Sequence, residues 1–217
     1  MPVRQIPKKA GSLSGVFSSA KNGRSIAFES TLERDFYYLL EFDWNVATFE
    51  EQPVRVPYID DEGVARSYTP DTLIHYRESP VRVELHEIKY REDLMENWVE
   101  YAPKFRAACR YARERGWGFR VTTETRIQGP YLDNVKFLLP FRDRSIPPEQ
   151  VEQFLSALRA RRPLSIADWL AVHARTETER LTFLPTIWHL LSSGKAFTDM
   201  ERKITLNSPV RLREDRP

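Results

Sequence analysis

The sequence is short of cysteine, of glycine and of long apolar runs, and each shortage closes off a class of protein. One cysteine, Cys109, excludes an internal disulfide framework and a cysteine-rich zinc site. Eight glycines against fifteen prolines describe a punctuated chain rather than a long coiled coil. No apolar stretch approaches the ~20 residues that span a bilayer. The opening MPVRQIPKKAGS lacks the apolar core of a secretory signal. The expected compartment is therefore the cytoplasm, with no membrane partner. What is present is ordinary for a folded protein: 217 residues, 41% hydrophobic and 29% charged, enough for one large domain or two small ones.

Net charge is only +2, but it is unevenly spread. Residues 1–28 carry five basic groups (Arg4, Lys8, Lys9, Lys21, Arg24) and no acid. Residues 29–144 hold seventeen basic against twenty-two acidic groups, and residues 145–217 eleven against nine. A basic arm before an acidic body suits a protein that approaches polyanions, although a solvated terminus would read the same way.

Ser30-Thr31-Leu32-Glu33 opens an apolar-periodic run through Phe36, Leu39 and Leu40, which predicts a helix of about three turns. Segments rich in β-branched and aromatic residues follow at Val46 to Phe49, Val54 to Ile59, Tyr68, Thr72 to Tyr76 and Val81 to Tyr90. With turns at residues 60–63 and 78–80, these predict consecutive antiparallel strands. A helix is expected from near Ala102 to Arg115, with a buried stripe of Phe105, Ala108, Cys109 and Ala112. Its other face would carry Lys104, Arg106, Arg110 and Arg113. A strand at Phe119 to Thr123 and a short helix around Val135 to Leu139 complete an α/β or α+β pattern with a central mixed sheet. Composition changes at Arg142 to Pro148, which places a boundary after residue 144. Helices at 149–161, 165–173 and 178–193, the last bent or shortened by Pro185, and two small strands then outline a winged helix-turn-helix.

Four residues can carry chemistry. Val81, Val83, Leu85, Glu87 and Lys89 share one strand face, so a carboxylate and an ammonium interrupt a surface that should be buried. Such charges are costly unless they pair, bind metal or reach a cleft. If the strand after Asp71 neighbours that one, Asp71 comes within reach of Glu87, and a divalent cation removes their repulsion. A metal held there can activate water against a phosphodiester, with Lys89 to hold the water or offset oxyanion charge. The bland alternative is a cross-strand ion pair. For Glu33 it is a capping box with Ser30, which leaves an oxygen free to approach a metal. Glu29 is a lesser candidate. His75 and His86 read as packing or surface groups, Trp169 and Trp188 as core, and Cys109 as core.

Phe28-Glu29-Ser30-Thr31-Leu32-Glu33-Arg34-Asp35-Phe36, Glu51-Gln52-Pro53, Tyr68-Thr69-Pro70-Asp71 and Glu87-Ile88-Lys89, in this order and spacing, resemble TnsA, the endonuclease subunit of heteromeric cut-and-paste transposons. The resemblance covers residues from about 25 to 140. More weakly, Leu181 through Ser193-Gly194 to Ser208-Pro209-Val210 is similar to that family's C-terminal domain. With the basic arm at 1–28 that the charges suggest and the boundary after residue 144, it implies a restriction-endonuclease-like domain at 29–144 and a winged-helix domain at 145–217. It further implies magnesium as cofactor, with Glu33, Asp71 and Glu87 as the metal-directed acids and Lys89 as the catalytic lysine. Some members carry glutamine at the position of Glu87; glutamate adds a ligand charge.

The implied activity is cleavage at the 5′ ends of a transposon in a bacterial cytoplasm. The implied partners are transposon-end DNA, an integrase-type transposase (TnsB-like) and, through the C-terminal domain, an AAA+ regulator (TnsC-like), with a targeting protein guiding the complex. In that context Lys104, Arg106, Arg110 and Arg113 read as phosphate contacts, with Arg115, Arg120 and Arg126 nearby. The competing readings are a stand-alone repair or restriction-type nuclease and a non-catalytic DNA- or protein-binding adaptor.

Overall fold

The computed structural model describes residues 14–160 and 164–213. They divide into two compact units that meet at the Gln128–Gly129 bond.

The first unit opens with a hairpin, β1 (Gly15–Ser19) and β2 (Arg24–Phe28), which buries Phe17, Ile26 and Phe28. This corrects the expectation of an arm over residues 1–28. Alternating apolar residues at 15–28 give the segment a face to bury, and its two cations are drawn into the fold. Lys21 donates to the carbonyl oxygens of Asp43 and Val46, and Arg24 pairs with Glu51. Arg4, Lys8 and Lys9 lie outside the described residues.

Helix α1 (Thr31–Phe42) follows, capped by Ser30 as the sequence indicates, and buries Leu32, Phe36, Tyr37 and Leu40 at helical spacing. Then come β3 (Val46–Glu51), β4 (Val56–Ile59), β5 (Ala65–Tyr68), β6 (Thr72–Tyr76), β7 (Val83–Ile88), α2 (Arg91–Glu96), α3 (Trp98–Arg113), β8 (Gly118–Thr122) and α4 (Glu124–Ile127). The central sheet has the order β3-β6-β7-β8, antiparallel except for the parallel β7/β8 pair, so it is mixed as expected.

The strands are not, however, one consecutive antiparallel set. Among the described residues β4 and β5 pair only with each other, in a separate hairpin. Pro57 and Ile59 of β4 and Ala65, Arg66 and Ser67 of β5 are exposed, so this hairpin lacks the cover of an inner strand. β7 has such cover: Leu85 packs with Ala112 of α3, and the His86 ring lies 5.3 Å from that of Phe36 on α1. Val81 stands outside β7 and is exposed.

Helix α3 begins earlier than the sequence suggests, at Trp98, and accommodates Pro103 in its second turn. Its buried positions are Pro103, Phe105, Ala107, Ala108 and Ala112; Cys109 is exposed. The 100° step between residues moves Cys109 off the stripe centred near Ala108. The same step carries Lys104 onto the buried side, where it is half-covered. Gly116, at φ +69°, ends the helix as expected.

The second unit contains α5 (Pro130–Leu138), a 3-10 turn at Leu139–Phe141, α6 (Pro148–Ala160), β9 (Leu164–Ser165), α7 (Ile166–His173), α8 (Glu177–Ser192), β10 (Ala196–Phe197) and β11 (Pro209–Leu212). The composition change at Arg142 to Pro148 therefore falls within this unit, because α5 packs with α8. The three strands form a small sheet of order β10-β11-β9. Pro185 lies inside α8 without ending it. Trp169 and Trp188 are buried, as expected, with Trp169 edge-on to Phe154 and Phe183. Among the described residues no helix is long and apolar enough to cross a membrane.

Candidate active site

The register of the central sheet brings the acids together. β6 and β7 pair Thr72 with His86, so Asp71 and Glu87 stand opposite each other one step beyond that pair. They lie at the end of the sheet from which Lys89 emerges. The Lys89 ammonium is 2.8 Å from Glu87 Oε1 and 3.6 Å from Asp71 Oδ2, bridging both carboxylates. It also lies 3.3 Å from the Ile88 carbonyl oxygen. Asp71 Oδ2 accepts the Ile88 backbone N–H at 2.7 Å, which fixes that carboxylate against β7. The Tyr68 hydroxyl, from the separate hairpin, donates to Glu87 Oε2. Nothing in the sequence pattern singled out that hydroxyl, because the contact depends on how β5 folds over the sheet.

Glu33 is held by the start of α1. Its backbone N–H donates to Ser30 Oγ at 3.1 Å, and its Oε1 accepts from the same hydroxyl at 2.9 Å. Its Oε2 accepts the Glu29 N–H at 2.9 Å, one residue further back than an ordinary capping box. The cap therefore engages both oxygens and aims the side chain toward the sheet end, where it feels the charges of Asp71 and Lys89.

The electrostatics show one cation shared among too many acids. Burial, then the charge of Asp71, pushes Glu87 up to about 8. The same two causes push Glu33 up to about 7. Asp71 is raised by burial despite Lys89 and the Ile88 N–H. Burial alone would lower Lys89, but Asp71 and Glu87 hold it above the ordinary lysine range. By contrast, Glu84 on the other face of β7 drops to about 2, chiefly through its hydrogen bond from His86, whose other ring nitrogen meets Thr122. His86 is thus a buried packing group pointing away from the acids, as strand alternation predicts.

Among the described residues no three His, Cys, Asp or Glu side chains stand ready as a metal cage. The donor chemistry nonetheless fits a hard cation: two facing carboxylates, with a backbone carbonyl beside the bridging ammonium, are oxygen ligands carrying surplus negative charge.

The basic residues of α3 divide. Lys104 pairs with Glu100 at 2.5 Å and lies over the Tyr101 ring, 5.2 Å from its centre; Lys89 lies 6.0 Å from the same centre. Arg106 is exposed and 3.3 Å from Asp61. Arg110 and Arg113 are exposed. Arg115 stacks on Tyr111 and Arg120 pairs with Glu84.

No curated protein matches the chain. Two family models do match it. One, described as TnsA-like endonuclease N terminal, covers residues 43–124, and so includes Asp71, Glu87 and Lys89 but not Glu33. The other, TnsA endonuclease C terminal, covers residues 127–200, so the junction between the two matches lies within a few residues of the division after Gln128. With both halves matched in order along one chain, the protein belongs to the TnsA-like endonuclease family.

Proposed function

We propose that this protein is the magnesium-dependent DNA endonuclease subunit of a heteromeric transposase and cuts the 5′ ends of a transposon. The observation that carries this reading is the bridged pair: Asp71 and Glu87 facing each other across β6 and β7 with Lys89 against both. In this reading the first unit is a restriction-endonuclease-like domain, and the three helices and small sheet of the second form a winged helix.

Asp71 and Glu87 would hold the metal, the Ile88 carbonyl would supply a further oxygen, and Glu33 would support that ion or a second one. Bound magnesium would polarise the phosphoryl oxygen and lower the pKa of a coordinated water. The chain's own residues do the rest. Lys89, released from bridging two acids, orients the attacking water and offsets negative charge on the phosphate oxygens. Tyr68 fixes the rotamer of Glu87 from behind. The Tyr101 ring links the centre to α3, whose exposed Arg106, Arg110 and Arg113, with Lys104, neutralise backbone phosphates beside the cut without reading sequence. The partners are transposon-end DNA, an integrase-type transposase and an AAA+ regulator that docks on the C-terminal unit.

Two measurements test the proposal. Titration of the pure chain with magnesium by calorimetry should show binding at millimolar concentration or tighter, lost in Asp71→Ala. Nicking of transposon-end DNA, with the cognate transposase added, should fall on the order of a thousandfold in the same variant. Wild-type protein that takes up no magnesium, or Asp71→Ala protein that cuts normally, refutes it.

A further inference from the structure

Gln52, in Glu51-Gln52-Pro53 at the end of β3, has a backbone it should not choose. Its φ is +44°, the left-handed region that glycine occupies freely and a long side chain avoids. It also precedes a proline, which favours extended backbone at the residue before it. Glycine would suit the position better, so the side chain is what the position requires.

That side chain is 7% exposed, and its Nε2 donates to Glu29 Oε1 at 3.0 Å. Facing the amide the other way would set its oxygen against the carboxylate, so the orientation follows from the partner. Its own backbone N–H donates to the Asp71 carbonyl oxygen at 2.9 Å. Glu29 in turn gives its N–H to Glu33. One residue therefore ties the segment bearing Asp71 to the segment bearing Glu29 and Glu33. The turn cannot relax, because neighbouring Glu51 is gripped by Arg24 through two hydrogen bonds of 2.8 and 2.6 Å.

We propose that Gln52 is a positioning residue, fixing through Glu29 the spacing between Asp71 and the Glu33 carboxylate so that the cation site is formed before the ion arrives. The inference rests on the metal-dependent reading above. Residues that orient ligands from behind typically change metal affinity by 10- to 100-fold when removed.

The experiment is a calorimetric magnesium titration of the full chain, alongside thermal melting without metal. Gln52→Gly should bind magnesium about tenfold more weakly, while its metal-free melting temperature stays level or rises as the backbone relaxes. Gln52→Glu keeps size and shape but sets a carboxylate against Glu29, and should weaken binding as much. Adding Glu29→Gln to Gln52→Glu exchanges donor and acceptor, restoring the hydrogen bond and bringing affinity back to within about threefold of wild type. Wild-type affinity in Gln52→Gly, or no recovery in the exchange, overturns the positioning role while leaving the nuclease reading intact. A wild-type chain that binds no magnesium overturns both.

Discussion

The two units of this protein bury different things. In the second, the buried core is Phe154, Leu158, Ile166, Trp169, Ile187 and their neighbours, and its buried polar side chains among the described residues are the neutral Asn134, Thr186, Ser192 and Thr198. Asn134 shows how such a group is satisfied: its amide donates to the Met200 and Arg202 carbonyl oxygens and accepts the Ile204 N–H. The first unit buries Asp35, Glu41, Glu51, His86 and Glu87. Even there the acids are not alike. Glu51 has a bidentate arginine to itself, whereas Glu87 shares one lysine with Asp71. A fold optimised for stability alone would replace such a shared pair by apolar residues, since burying charge recovers little of its desolvation cost. Among the described residues, the carboxylates that burial and mutual repulsion push upward, Glu33, Asp71 and Glu87, gather at one end of the central sheet.

The contrast can be broken by mutation. In the second unit, Trp169→Ala should destabilise by about 3–5 kcal/mol, by loss of a fully buried ring. Denaturant unfolding would measure this loss, which should be unchanged by pH between 5 and 8 and by magnesium. In the first unit, Lys89→Met should destabilise by about 3 kcal/mol at pH 8, because two buried carboxylates lose their only shared cation. Unlike the tryptophan effect, this one should shrink towards pH 5, where the acids take up protons. A Lys89→Met penalty independent of pH would mean that the lysine matters for packing rather than charge.

The wild-type protein offers a gentler form of the same test. Glu87 at about 8 and Glu33 at about 7 sit above the ordinary 4.5, so the folded chain keeps protons that the unfolded chain releases. Metal-free stability should therefore fall as pH rises from about 4.5 towards 8, the direction opposite to a carboxylate stabilised by a salt bridge. Magnesium should restore the melting temperature most at pH 8, and its binding should release protons, visible as a buffer-dependent calorimetric heat. Smallest is the cap: Ser30→Ala should cost about 1 kcal/mol, since Oγ serves both the Glu33 N–H and its carboxylate.

Much of this was legible along the chain. The Ser30 cap, the β7 alternation, the Gly116 stop and the helices of the second unit follow from local rules of period and capping. Where the structure departs from these rules, packing overrides a local pattern. Cys109 falls off the buried stripe because that stripe is centred near Ala108, and β4 and β5 form their own hairpin outside the central sheet. Charge alone suggests an arm over residues 1–28, whereas the alternation of residues 15–28 makes a hairpin.

The sequence by itself determined that charges would interrupt an apolar strand at Glu87 and Lys89, because side-chain direction in a strand depends only on a period of two. Tertiary structure alone decided that Asp71 would face Glu87, that Lys89 would bridge them, that Tyr68 would reach over the sheet and that Gln52 would lock two segments in a strained turn. Those contacts join residues far apart in the chain, and strand register and the packing of α1 and the β4–β5 hairpin against the sheet set them; no periodicity encodes either.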